Sequence, residues 1–247
     1  IKKIADRYFG VGCDQVILLE NSSNADIFMR IYNSNGSEAQ MCGNAARCVA
    51  AMLFSSASKG KVKIETISGV IYAESKANGI VSVNMGLPKT KWNQIPIAKD
   101  VDTSEIDLSA INKLLRKGFA LNIGNPHIVF IVPSYKLINL KEIGKRIEEF
   151  HLFPKGINVE IVVIKKPNKL DVMVWERGAG LTLSCGSGAC AAFVAARYLK
   201  LCERAVIVSL PGGELNVNMN NDGSINMSGP VNVSYFGHLP LNKGTSD

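Results

Sequence analysis

The chain is poor in aromatic residues (7%) and carries only three histidines among 247 residues. No apolar run approaches the roughly 20 residues a bilayer-spanning helix needs, so no membrane segment is expected. The net charge of +7 comes from scattered lysines with few aromatics between them, which reads as solvated surface and not as a nucleic-acid footprint. There is no C-x-x-C, and the close cysteine pairs stand six and five residues apart, on different helix faces, so no metal site is expected. Six cysteines in a chain of this length do not form a disulfide scaffold. Together with the lack of a secretory leader, they suggest reduced thiols in the cytoplasm. The opening Ile1-Lys2-Lys3-Ile4 has no methionine and reads as mid-domain, so further residues are expected to precede it.

What is present is 47% hydrophobic sequence with 22 glycines, enough for one large core or two smaller ones. Alternating apolar residues and Gly/Asn turns predict strands at 16–20, 26–32, 61–67, 70–75 and 80–85. A second series is predicted at 119–123, 128–132, 158–165, 169–176, 205–210, 214–219 and 224–227. Helices are expected from Gly43 to Phe54 and from Cys185 to Leu201. Two more are expected through Leu108, Ile111, Leu114 and Leu115, and through Leu140, Ile143, Ile147 and Phe150, with Asn139 as the cap of the last.

The chain also repeats itself. Cys42 and Cys185 stand 143 positions apart, and the same offset pairs Gly43 with Gly186, Ala46 with Ala189, Gly69 with Gly212 and Gly86 with Gly229. Each half reads strand, strand, turn, cysteine, helix and a three-strand meander. Two pseudo-symmetric domains are expected, at 1–88 and 89–230, with 231–247 returning to the first. Such a pair would bring the two cysteine-led helix starts to one cleft. A thiol at a helix N-terminus meets unpaired N–H groups and the positive end of the helix dipole, which are expected to lower its pKa. Inverting a carbon acid requires a base on one face and an acid on the other, a task that two opposed thiols perform without a cofactor. Cys13, Cys48, Cys190 and Cys202 read as small apolar residues.

Several stretches then resemble one family. They are Gly-Val-Gly-Cys-Asp14-Gln15, Asn33-Ser-Asn-Gly-Ser-Glu38 running into Met-Cys-Gly-Asn44, Gly124-Asn-Pro-His127, and Trp-Glu-Arg-Gly-Ala-Gly180 running into Cys-Gly-Ser-Gly-Ala-Cys190. In this order, over essentially the whole chain, they resemble the diaminopimelate epimerases. The resemblance implies an α/β fold of two domains, each a curled mixed sheet around a central helix, with the active site between them. It implies cofactor-independent interconversion of LL- and meso-2,6-diaminopimelate, feeding lysine and peptidoglycan synthesis, by a homodimer involving a C-terminal strand around Tyr235. Carried over, Cys42 and Cys185 are the acid/base pair, with His127 and Glu176 tuning the thiols. Gln15, Asn33, Asn125, Asn158, Glu176 and Arg177 bind the distal end of the substrate, and Gly43, Asn44, Gly186 and Ser187 hold the reacting carboxylate.

The sequence departs from the family pattern in three places. A Gly-Asn-Asp-Phe opening strand is absent, Ala45 stands where glycine is usual, and Leu181 stands where Glu is usual. The competing readings are a proline or hydroxyproline racemase, which also uses paired cysteines, and a thiol redox or metal-binding protein. The first is disfavoured by the many amide side chains, which suit a longer substrate with a second polar end.

Overall fold

A computed structural model describes residues 1–57 and 60–240, and these described residues hold fourteen strands. The first half holds α1 (Lys2–Ala5), β1 (Gln15–Glu20), β2 (Ile27–Asn33), β3 (Glu38–Ala39), α2 (Gly43–Ala57), β4 (Lys61–Thr66), β5 (Gly69–Ser75) and β6 (Ile80–Asn84). The second opens with β7 (Gly118–Asn122), β8 (Pro126–Ile131) and α3 (Leu140–Glu148). It continues through β9 (Asn158–Lys166), β10 (Lys169–Glu176), β11 (Gly180–Thr182), α4 (Gly186–Tyr198), β12 (Ala205–Leu210), β13 (Gly213–Met219) and β14 (Ile225–Pro230).

The 143-residue offset recurs in the fold. β1 to β6 with α2 correspond in order to β9 to β14 with α4, and their pairings match. β1 and β2 are antiparallel, as are β9 and β10; β2 pairs parallel with β4, and β10 with β12. The path through the sheet is β1-β2-β4-β5-β6-β14-β13-β12-β10-β9-β8-β7. The seam is the antiparallel pair β6–β14, two equivalent strands related as a pseudo-twofold requires.

The alternation in β4, with Val62, Ile64 and Thr66 inward and Lys61 and Lys63 outward, turns one sheet face toward α2. α4 is a helix of another kind. From Gly186 to Ala196 every residue is buried, and the helix touches β7 to β10 and β12 to β14. Its Gly/Ser/Ala sequence is narrow enough for a sheet to close round it on nearly all sides. A second apolar cluster, including Ile95, Leu108, Phe130, Ile143 and Ile147, lies on the far face of β8 and β9 beneath α3. α3 sits close because Gly144 lacks a side chain: a Cβ there would stand 2.3 Å from Trp175.

Three expectations need correcting. Residues 108–117 form turns leading into β7, not a helix, because side chains compete for the backbone donors. Asp107 Oδ1 accepts from Ser109 N (2.7 Å) and Asn112 Oδ1 from Leu114 N (3.0 Å). Asn139 does precede α3, but its side chain does not cap the backbone; its Nδ2 donates to Glu142 instead (3.3 Å). Residues 231–240 contain no strand, and Tyr235 is exposed; the rest of the expected return, 241–247, lies outside the described residues.

Candidate active site

The two repeated stretches fold alike. Cys185 is the N-cap of α4, with Sγ accepting from Gly188 N at 3.4 Å; Cys42 precedes α2, with Sγ accepting from Ala45 N at 3.5 Å. Ser187 Oγ lies 3.5 Å from the Cys185 sulfur. The two helix starts meet over one side chain. A Cβ on Gly43 would stand 2.8 Å from Met227 Cε, and one on Gly186 would stand 2.8 Å from Met227 Sδ and 3.0 Å from Asn44 Oδ1. Both glycines thus lie against the end of the Met227 side chain, and Asn44 of the first half stands against the start of α4.

Glu176 acts electrostatically on both sulfurs. Its charge raises the pKa of Cys42 and of Cys185, and Glu160 adds a further rise at Cys185. Burial is the largest influence on each, pushing Cys42 up to about 11 and Cys185 well above its ordinary value. This overturns the expectation of lowered thiol pKa values. The backbone N–H groups act in the expected direction but are outweighed by the loss of solvent.

Beneath Cys185 runs a buried polar chain. Asn125 Oδ1 lies 2.8 Å from His127 Nε2, and His127 Nδ1 lies 2.7 Å from Glu160 Oε1. His127 and Glu160 are wholly buried, and a Cβ on Gly188 would reach within 2.9 Å of Glu160 Oε1. Burial raises the Glu160 pKa, and His127 opposes that rise. The carboxylate between His127 and the sulfur is thus Glu160, which the sequence reading did not single out. Its signal was there: a lone acid in the otherwise apolar run Val159-Glu160-Ile161-Val162 needs a buried partner.

Other predicted residues fall into two groups. Asn158 donates through Nδ2 to Pro126 O (2.7 Å) and accepts from Arg177 N (2.9 Å), tying β8, β9 and the end of β10 together. Glu176 accepts from Thr182 Oγ1 (2.6 Å), while the exposed Arg177 reaches Lys155 O (3.0 Å). Gln15 and Asn33 form a separate cluster: Gln15 Nε2 donates to Asn33 Oδ1 (3.0 Å), and Asn33 Nδ2 to Ser37 Oγ (3.1 Å). No hydrogen bond joins that cluster to the second half among the described residues. The two clusters are related by the repeat, since Gln15 and Asn158 open β1 and β9, and Asn33 and Glu176 close β2 and β10. Leu181 is exposed on β11, and Ala45 packs into the core.

A concavity of about 770 Å³ lies elsewhere, on the outer face of β4 to β6, and neither thiol lines it. Among the described residues no cluster of His, Cys, Asp and Glu could hold a metal ion, and no helix is long and apolar enough to cross a membrane.

The sequence profile of the diaminopimelate epimerase family matches residues 1–91 and 119–234. A diaminopimelate epimerase of Acidiphilium cryptum is 42% identical over 237 residues, covering 96% of this chain and 85% of that protein. One of Rhizorhabdus wittichii is 44% identical over 246 residues, covering 100% of this chain and 87% of that protein. Among solved structures, a hydroxyproline epimerase from Agrobacterium vitis with bound trans-4-hydroxy-L-proline superposes with a TM-score of 0.64 at 13% identity, over 93% of this chain and 75% of that one. A probable proline racemase from Agrobacterium radiobacter gives a TM-score of 0.64 at 16% identity, over 98% of this chain and 82% of that one. At those identities the likeness is one of fold, whereas the profile and the sequence relatives reach further: the chain belongs to the diaminopimelate epimerase family and is an isomerase of the epimerase type.

Proposed function

We propose that the protein interconverts LL- and meso-2,6-diaminopimelate by a two-base mechanism in which Cys42 and Cys185 act on opposite faces of the reacting carbon. The observation that carries this reading is the meeting of two cysteine-led helix starts over Met227, with Glu176 bearing on both sulfurs. One sulfur, as thiolate, removes the α-proton, and the other, as thiol, delivers a proton to the opposite face; the roles exchange in the reverse direction. The backbone N–H groups of Gly43, Asn44, Gly186 and Ser187 bind the carboxylate and the charge that develops on it as the proton leaves. Burial keeps both groups as thiols at rest, so binding of the ammonium-bearing substrate favours ionisation of one of them.

Asn125, Asn158, Arg177 and Glu176 from the second half, and Gln15 and Asn33 from the first, receive the distal amino-acid end. Arg177 supplies the planar grip on its carboxylate. His127 and Glu160 act on Cys185 from beneath. We assign residues 1–88 and 89–230 as the two domains; the seam at β6–β14 supports that division. No cofactor is needed by this chemistry. Both sulfurs must stay reduced, which suits a cytoplasmic enzyme on the route to lysine and peptidoglycan precursors, and the family resemblance makes a homodimer the expected assembly.

The test is to incubate the protein separately with LL-diaminopimelate and with L-proline and to resolve the stereoisomers. Formation of meso-diaminopimelate without D-proline is expected. Turnover of proline alone would overturn the substrate assignment.

A further inference from the structure

Arg47 opens the second turn of α2 and is only 8% exposed, yet no acidic side chain pairs with it among the described residues. Its Nε and Nη1 are buried without a hydrogen-bond partner among the described residues. Among the described residues its hydrogen bond is from Nη2 to Asn44 Oδ1, at 3.2 Å. Room for the guanidinium comes from across the seam: a Cβ on Gly229 in β14 would stand 2.3 Å from Arg47 Nη1 and 2.7 Å from Leu215 Cδ2. An unpaired buried cation destabilises a fold, and an apolar side chain of similar volume would fill the same space without that penalty. The charge therefore calls for a reason outside stability.

Asn44 supplies one. A guanidinium only donates, so the atom facing Arg47 is the amide oxygen, and the orientation of the Asn44 side chain follows. That oxygen also lies 3.0 Å from where a Gly186 Cβ would be, which sets the amide between the starts of α2 and α4. Its Nδ2 has no partner among the described residues, leaving both N–H donors for a ligand.

We propose that Arg47 is a positioning residue: it holds Asn44 by the amide oxygen so that the amide N–H groups face the space between the two helix starts and bind the carboxylate on the reacting carbon. This rests on the two-base reading above. The negative charge on that carboxylate grows as the α-proton leaves, so a donor held in advance lowers the barrier more than it tightens binding. The seam thus does more than join two halves, since a side chain from one half, accommodated by a glycine of the other, orients a group at their shared site.

The experiment compares wild type with Arg47→Met, Arg47→Lys and Asn44→Asp, measuring kcat and KM for epimerisation alongside Tm. Arg47→Met is expected to keep or raise Tm while kcat falls on the order of 100-fold with little change in KM. Arg47→Lys, which can still donate to the amide oxygen, recovers most of that loss. Asn44→Asp pairs the buried cation and raises Tm but is as slow as Arg47→Met, because a carboxylate has no N–H to offer. The proposal is overturned if Arg47→Met turns over like wild type, or if its only change is a lower Tm. Should Arg47→Met not fold, Asn44→Asp decides alone: full activity there contradicts the proposal. A wild-type protein that epimerises nothing would sink the two-base reading itself, an outcome distinct from wild-type activity that Arg47 does not influence.

Discussion

Cys42 and Cys185 open equivalent helices but have different charged neighbours. Around Cys185 the sheet is doubled: β9 is covered by β8 and then β7, α3 packs on the outer face, and the thiol is 4% exposed beside both Glu160 and Glu176. Around Cys42 the only one of those two carboxylates that raises the thiol pKa is Glu176. The repeat therefore supplies two copies of one device, and the surroundings make them differ. The thiol with two carboxylates for neighbours ionises with more difficulty, so on the proposed two-base reading Cys42 would be the sulfur that first becomes the thiolate.

The comparison can be broken in stages. The largest effect is expected from removing either sulfur: Cys42→Ala and Cys185→Ala should each lower epimerisation by on the order of 10³-fold or more, since neither half can perform the other's proton transfer. A single variant with near-normal turnover in a stereoisomer assay would dissolve the division of labour. Next come the carboxylates. Glu176→Gln should shift the pH profile of alkylation at both sulfurs toward lower pH, because a negative charge near each is lost. Glu160→Gln should shift Cys185 alone. Peptide mass spectrometry after timed iodoacetamide treatment separates the two sites, and equal shifts at both in Glu160→Gln would show that the halves are not electrostatically distinct. In the unmodified protein the same measurement should find Cys42 labelled before Cys185.

A smaller effect concerns stability. Cys190, wholly buried in α4, has its pKa pushed up to about 12 from an ordinary 9.0, with burial as the main cause. Between those values the unfolded chain gives up the proton and the folded one keeps it, so stability is intact below pH 9.0 and declines as pH rises. One thiol contributes a slope of up to about 1.4 kcal/mol per pH unit. Cys190→Ala should flatten the alkaline fall of Tm by that share, after the constant offset from lost packing is subtracted.

Much of this was legible in the sequence, for identifiable reasons. The 143-residue repeat in the sequence recurs as matching strand pairings in the two halves, and both helix-start glycines lie against the same Met227 side chain. Strands such as β4 and β10 showed themselves by alternation. The stretch at 108–117 misled because leucine spacing is blind to the side chains of Asp107 and Asn112, which bind the backbone locally. The thiol ionisation misled for a different reason: helix N-termini are visible in sequence, whereas the depth of burial that outweighs them is a property of the assembled sheet. Arg47 and Glu160 were passed over because each sits in a segment otherwise read as core. Their meaning lies in partners distant along the chain, Gly229 for one and His127 for the other.

The central claim, two sulfurs acting from opposite faces, is tested most directly by running the reaction in deuterium oxide and examining both stereoisomers early in the time course. The account predicts that newly formed meso-diaminopimelate carries deuterium at the inverted carbon while recovered LL-substrate remains protiated, since the proton removed and the proton delivered belong to different thiols. Product that retains the original protium at that carbon would mean one base serves both faces, and the account would be wrong.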